Sequence, residues 1–329
     1  MKKSLLALAV LGAFASAASA QSSVTLSGGV DLGVQRTNGQ WSMGTAGSSR
    51  SNFTLSGTED LGGGMKAIFL LNHRFRPNTG EINNPGGAGF FFRNSWVGLA
   101  GGFGDVRLGR ILMPLQDFNG GYDPFGTDTV GSTHTGGINA TVRATNSIYY
   151  RSPSLGGLQV HAAIAAAEGQ IAGEQGGTAG KLLNKNRPLG LGVVYAAGPL
   201  KVAVAYDRNS AEQKTTGLYG SYNLGVATLM GQYEKGDTNI STASLVNKSV
   251  KRWSLGATVP MGAAVIKAGY TRWTDEDTKK LGLGVDYNLS KRTQLYADLG
   301  KLSGNGSATL PLTALNRKAK FDVGIFHKF

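Results

Sequence analysis

Residues 24–35 read Val-Thr-Leu-Ser-Gly-Gly-Val-Asp-Leu-Gly-Val-Gln, and this stretch decides the fold. One parity carries Val24, Leu26, Gly28, Val30, Leu32 and Val34, while the other carries Thr25, Ser27, Gly29, Asp31, Gly33 and Gln35. Successive side chains of a β-strand point to opposite faces, so this strand has one greasy face and one polar face. The same division recurs in residues 200–207, where Leu200, Val202, Val204 and Tyr206 alternate with Lys201, Ala203, Ala205 and Asp207. It returns in residues 280–289, where Leu281, Leu283, Val285, Tyr287 and Leu289 alternate with Lys280, Gly282, Gly284, Asp286 and Asn288.

Between such runs, short Gly-containing connections at 60–64, 101–104, 153–157, 197–199, 223–225, 260–262 and 288–292 alternate with longer polar segments. The longer ones fall at 38–49, 77–89, 111–142, 168–187, 236–248 and 303–317. Short turns at one end and long loops at the other are what an antiparallel up-and-down barrel produces. The runs number about sixteen, and eight hairpins of about 38 residues each consume roughly 305 residues. That leaves no second domain in a chain of 329.

The N-terminus carries Lys2 and Lys3, an apolar run from Leu5 to Ala15, and Ala18-Ser19-Ala20. A charged start, an apolar run too short to span a bilayer and a small-residue site predict a signal peptide over residues 1–20, with export of residues 21–329. No later run of about 18 apolar residues predicts a membrane helix. A lipid-embedded chain must then close into a barrel, which satisfies every backbone group without water.

Composition narrows the chemistry. There is no cysteine, which excludes a disulfide framework, a thiolate zinc site and a cysteine nucleophile. Fifty glycines occur without the strict triplet of collagen. Lys and Arg total 33 against 20 Asp and Glu, a net charge of +13, dispersed along the chain with no basic patch or nucleic-acid motif. A secreted β-sandwich or solenoid adhesin would also alternate. Aromatic residues near run ends, namely Phe69, Phe75, Trp96, Tyr149, Tyr150, Tyr195, Tyr206, Tyr222 and Tyr287, favour interfacial girdles around a membrane barrel instead.

Several stretches carry a family resemblance. The C-terminal Phe321-Asp-Val-Gly-Ile-Phe-His-Lys-Phe329 alternates and ends on an aromatic residue. It resembles the assembly signal of outer-membrane barrels, in which the final Phe, here Phe329, is read by the barrel-assembly machinery. Gly57-Thr-Glu-Asp-Leu-Gly-Gly-Gly-Met-Lys-Ala67, Gly104-Asp-Val-Arg-Leu-Gly-Arg110, Asn146-Ser-Ile-Tyr-Tyr150 and Asn288-Leu-Ser-Lys-Arg-Thr-Gln-Leu-Tyr296 are similar to the Gram-negative general-diffusion porins of the betaproteobacterial type. The resemblance implies a sixteen-stranded, homotrimeric outer-membrane barrel, in contact with lipid and lipopolysaccharide, with a constriction loop 3 folded into the lumen. It implies passive passage of small hydrophilic solutes and ions, with no cofactor, no catalysis and no nucleic acid.

In that family the third long loop meets basic residues on the opposite wall. Here the loop corresponds to 111–142 and carries Asp117, Asp123 and Asp128; its aromatic residues Phe118, Tyr122 and Phe125 argue against a segment free in water. The family's wall arginines map onto Arg93 and Arg143. A third is missing, because Asn52 stands five residues before Gly57; Arg50 lies two residues earlier on the same strand face, about 6–7 Å along, and is expected to take its place. Arg74 and Arg76 share the parity of Lys66 and Asn72 and are expected to add positive potential near the mouth. Guanidinium groups stay charged at any physiological pH, and fixed cations in a narrow low-dielectric channel concentrate anions, so anion selectivity is expected.

Two other classes remain open. A solute-specific anion channel, for phosphate or an organic acid, would show saturable conductance. A barrel enzyme would need a site such as Ser132 and His134 with Asp128 nearby, a spacing commonplace in polar loops.

Overall fold

The computed structural model describes residues 22–329 except 38, 46, 83–88, 128, 134–137, 139–141, 167–186, 242–243, 276 and 305–318. The expected leader, residues 1–20, lies outside the described residues. The alternation seen in the sequence becomes a sheet that closes on itself. Its strands are β1 (Ser23–Thr37), β3 (Asn52–Gly62), β4 (Met65–Arg76), β6 (Ser95–Gly101), β7 (Gly104–Leu112), β8 (Arg143–Arg151), β9 (Leu158–Ala165) and β10 (Leu189–Ala197). They continue with β11 (Leu200–Arg208), β12 (Lys214–Asn223), β13 (Thr228–Ser241), β14 (Ser244–Met261), β15 (Ala264–Trp273), β16 (Thr278–Asn288), β17 (Thr293–Gly304) and β18 (Lys320–Lys328).

Each of these sixteen pairs antiparallel with its neighbours, and β1 joins β18 to complete the ring. Two short pieces, β2 (Gln40–Gly44) and β5 (Glu81–Ile82), extend β1 and β4 beyond the ring. The expectation of about sixteen strands is met. One expected long loop is instead sheet: residues 236–248 belong mostly to β13 and β14, whose ladder runs up to Ser241 opposite Ser244. Without Pro or a Gly cluster to interrupt it, an antiparallel ladder continues past the membrane because each added residue gains backbone hydrogen bonds.

Burial is inverted relative to a water-soluble protein. Val24 is 67% exposed, Leu26 61% and Leu255 60%, while Asp31, Glu234, Arg252, Asp298 and Asp322 are buried. Exposed apolar side chains therefore wrap the outside and polar ones face in, as a bilayer solvent requires. Tyr150, Tyr195, Tyr222 and Tyr287 lie outward near the short turns, as girdle residues do. Tyr149 and Trp96 do not: they share the inward parity, Tyr149 is buried, and its hydroxyl meets His161 Nδ1 at 2.6 Å.

The seam is closed by the last residue. The Phe329 N–H donates to Gly28 O and the Gly28 N–H donates to Phe329 O, both at 3.1 Å. The Phe329 ring lies so near Gly28 that a Cβ there would stand 2.9 Å from it, which explains the glycine. Deleting Phe329 removes two hydrogen bonds worth about 0.5–1.5 kcal/mol each. The expected outcome is a lower unfolding temperature and less folded barrel in the outer membrane, measured by heat-modifiable mobility in semi-native electrophoresis.

Candidate functional site

The described residues of the longest connection between strands pack along the barrel wall. After β7, Pro114 opens a helix, α1 (Pro114–Gly121), in the position where its missing N–H costs nothing. Leu115, Phe118 and Tyr122 pack with Val194, Ala203, Ala205 and Tyr219 of β10–β12 into a small apolar core. These wall residues share a parity opposite to the exposed Leu191, Val202, Val204 and Leu218, so α1 lies on the polar side of the sheet. Glycine makes room for it, since a Cβ at Gly192 would stand 2.7 Å from the Phe118 ring and one at Gly190 2.6 Å from Pro114.

A buried polar network holds the C-terminal half of α1. Glu234 of β13 accepts from Asn119, from Arg252 of β14 and, at 2.8 Å, from the Tyr219 hydroxyl. Gln232 Nε2 donates to Tyr122 O at 2.9 Å. Glu234 and Arg252 are directly opposite in the β13–β14 ladder, so register alone places the ion pair. Tyr122 stacks on Tyr219 with ring centroids 5.5 Å apart, and burial pushes its hydroxyl up to about 12.

Beyond α1 the chain lies in a groove made by absent side chains. Gly256 is opposite Gly269, Gly269 opposite Gly282, and Gly282 opposite Gly300, giving one glycine row across four adjacent strands. A Cβ at these positions would stand 2.4 Å from Pro124, 2.5 Å from Thr133, 2.0 Å from Gly131 O and 2.0 Å from Val130 O. Donors flank the row: Lys280 Nζ to Ser132 O at 2.6 Å and Thr271 Oγ1 to Thr133 O at 2.8 Å. The ammonium of Lys267 stands over the Phe125 ring at 5.1 Å.

The residues around the site divide into three groups. Arg143 Nε donates to Asn94 Oδ1 at 3.1 Å and Arg110 Nε to Phe92 O at 2.6 Å, so Arg143 and Arg110 hold the residues on either side of Arg93. Asp117, on the solvent-facing side of α1, lies in the field of Arg107, Arg151, Lys201 and Arg143. It touches solvent yet is walled in on most sides, and this desolvation raises its pKa more than the four cations lower it. Arg50 is held indirectly. Asp31 Oδ2 accepts the N–H groups of Ser48 and Ser49 at 2.8 and 2.6 Å, Ser51 Oγ donates to Asp31 O, and Gly47 lies flat on the Tyr296 ring. Arg74 stands opposite Asn52 in the β3–β4 ladder, the next inward position along from Arg50.

The second group faces elsewhere. Asp123 is buried and works within the loop, accepting the Phe125 N–H at 3.0 Å and the Ser132 hydroxyl at 2.7 Å. Arg76 is exposed on the extension beyond the ring, 3.6 Å from Glu81. Asp128 and His134 lie outside the described residues. The third group was not singled out beforehand: Arg107, Arg151 and Lys201. Arg107 and Arg151 share the Asp105 carboxylate at 2.6 and 2.8 Å, and Arg107 lies over the Trp96 ring at 4.7 Å. Alternation with Val106, Leu108 and Tyr150 carried the signal for the two arginines.

Two substitutions test this seating. Glu234→Gln removes the carboxylate charge paired with the buried Arg252 guanidinium, at a cost of about 3–5 kcal/mol; denaturant unfolding is expected to show that loss. Gly282→Val inserts bulk where a Cβ would already stand 2.0 Å from Gly131 O, so the segment is displaced from the wall and a lower unfolding temperature is expected.

Comparison with known proteins places this geometry. A family model described as Gram-negative porin matches residues 7–307. Outer membrane porin protein 32 of Delftia acidovorans is 37% identical over 347 residues, which span 95% of this chain and 93% of that protein. Among solved structures, the anion-selective porin from Comamonas acidovorans superposes with a TM-score of 0.75 at 30% identity, covering 94% of this chain and all of that one. The trimer form of OmpT from Vibrio cholerae shares the fold at 15% identity, with a TM-score of 0.67 over 94% and 99% of the two chains. The chain is a Gram-negative porin of the outer membrane.

Proposed function

We propose that this porin is a non-catalytic channel for small hydrophilic solutes that prefers anions, and that the segment from Met113 to Thr133 is the constriction loop folded into its lumen. One observation carries the reading: among the described residues of that segment, the solvent-facing carboxylate of Asp117 lies in the field of four cations, Arg107, Arg151, Lys201 and Arg143. Fixed positive charge in a narrow, low-dielectric passage raises local anion concentration and repels cations. Arg93, Arg50 and Arg74 extend the basic wall toward the mouth, while Asp123 stiffens the loop from within. The loop's aromatic residues are spent on the wall, which leaves water the polar side of α1.

Homotrimeric assembly is part of the proposal, supported by the trimer form in which the Vibrio cholerae relative was solved. So are removal of residues 1–20 at Ala20 and recognition of Phe329 during assembly. A solute-specific channel would differ in one respect, conductance that saturates with phosphate or an organic acid.

The test is the reversal potential in a potassium chloride gradient across a planar bilayer. Arg93→Gln with Arg143→Gln is expected to cut the chloride-to-potassium permeability ratio several-fold, most at low salt where screening is weakest. Cation selectivity in the unsubstituted protein would defeat the reading. Acidification supplies a second check. Because the Asp117 carboxyl is raised, it takes up its proton at a higher pH than an ordinary aspartate; the lumen then loses a negative charge, and anion preference rises as pH falls. Asp117→Asn is expected to remove that component of the pH dependence while keeping a high anion preference at neutral pH.

A further inference from the structure

Between β2 and β3 the chain leaves β1. Gly44 stands opposite Gly33 and Asn52 opposite Gly29, so seven residues, 45–51, face the three of β1 at 30–32. The partner strand thus carries a surplus of four. An edge abandoned at this level would leave backbone groups of β1 without partners in hydrocarbon, which a membrane wall does not tolerate. Ser51, fully buried, stands in for the missing strand: the Asp31 N–H donates to Ser51 Oγ at 2.8 Å, and Ser51 Oγ donates to Asp31 O at 3.1 Å. The interruption is built into the wall.

The surplus lies on the inner face. Asp31 and Tyr296 have the inward parity, opposite to the exposed Val30, Leu295 and Leu299, and β18 lies between their strands. Tyr296 reaches across β18 so that its hydroxyl donates to Asp31 Oδ1 at 2.7 Å. Gly33 and Gly324, directly opposite in the β1–β18 ladder, leave room for it; a Cβ at Gly33 would stand 2.6 Å from that hydroxyl. Gly47 packs on the same ring, and a Cβ there would overlap it. Gln294 Nε2 donates to Ser48 Oγ at 2.6 Å, while Asp31 Oδ2 accepts the N–H groups of Ser48 and Ser49. The excursion therefore rests on inward side chains, about 3.5–4 Å off the atoms it touches, and takes up lumen. Val130 O lies against Gly300, two inward positions along β17 from Tyr296, so the segment after α1 and this excursion are neighbours on the inner face.

We propose that residues 45–51 form a second constriction element, which narrows the channel from the side of β17, β18 and β1, and that Asp31 is the residue that positions it. A carboxylate suits the place because one side chain must accept from two backbone N–H groups and a phenol at once, and an ionised carboxylate is acceptor only. The inference rests on the chain being a porin, not on its ion preference.

Single-channel conductance in planar bilayers and liposome swelling in sugars of increasing size test it. Deleting residues 46–49 removes the surplus, so the partner of β1 runs on in one register and Arg50 falls opposite Asp31 on the inward face. This variant is expected to conduct about 1.5-fold more or better and to admit larger sugars, since pore diameter governs both. Asp31→Ala in the undeleted chain is expected to shift both readings the same way and to add little in the deleted one, a non-additivity that a general loss of stability would not produce. Unchanged conductance and size limit in the deletion variant overturn the proposal. Should that variant not fold, Ser49→Cys decides: position 49 is half-buried, and in a chain without cysteine a cationic thiosulfonate reagent modifies that thiol alone. A stepwise fall in current on modification is expected, and a current that stays level overturns the proposal. The reversal potential reads ion preference separately, which distinguishes a failure here from a failure of the channel reading.

Discussion

A backbone N–H or C=O with no partner cannot be left in hydrocarbon, and this constraint determines the rest of the molecule. It forces the sheet to close, so β1 must find β18, and Phe329 extends that pairing to Gly28. Closure in turn fixes two solvents for one strand, lipid outside and water inside. The period-two alternation of Val24 to Gln35 is the direct imprint of those two solvents on the sequence.

A barrel with a polar inner face lacks a conventional apolar core, so anything held inside must be held by other means. Two are used. Where α1 meets β10–β12, a small apolar cluster forms around Phe118 and Tyr122, backed by the buried Glu234–Arg252 pair. Where the following segment meets β14–β17, side chains are removed and backbone lies on backbone along the glycine row from Gly256 to Gly300. The first fixes orientation through charge and register, and the second fixes distance through close approach. Together they seat the segment on the polar face of β10–β17.

Much of this could be read before any coordinates existed, because alternation and turn placement are local. The closed sheet and the short turns at one end follow from runs of ten or so residues. What escaped depended on register. The ladder through 236–248 was hidden by polar residues that resemble a loop, and without its turn Glu234 and Arg252 could not be set opposite each other. The abundance of glycine was visible, but the alignment of four glycines across four strands was not. Asp123 was read as a channel carboxylate by its place in the loop; it accepts the Phe125 N–H and the Ser132 hydroxyl, the local bonds that a carboxylate near a turn readily makes. Arg107 and Arg151, by contrast, lay in plain alternation.

The central claim is that a loop seated on the glycine row leaves an electropositive waterway beside it. A Cβ at Gly269 would stand 2.5 Å from Thr133 Cγ2, so the two positions adjoin, and the chain's lack of cysteine makes an engineered pair unambiguous. The most direct measurement is the reversal potential of the Thr133→Cys, Gly269→Cys porin in a chloride gradient, before and after oxidation. The account predicts that the cross-link forms readily and that an anion-directed potential persists unchanged. A cross-link that fails to form, that blocks conduction, or that accompanies a cation-directed potential would contradict it.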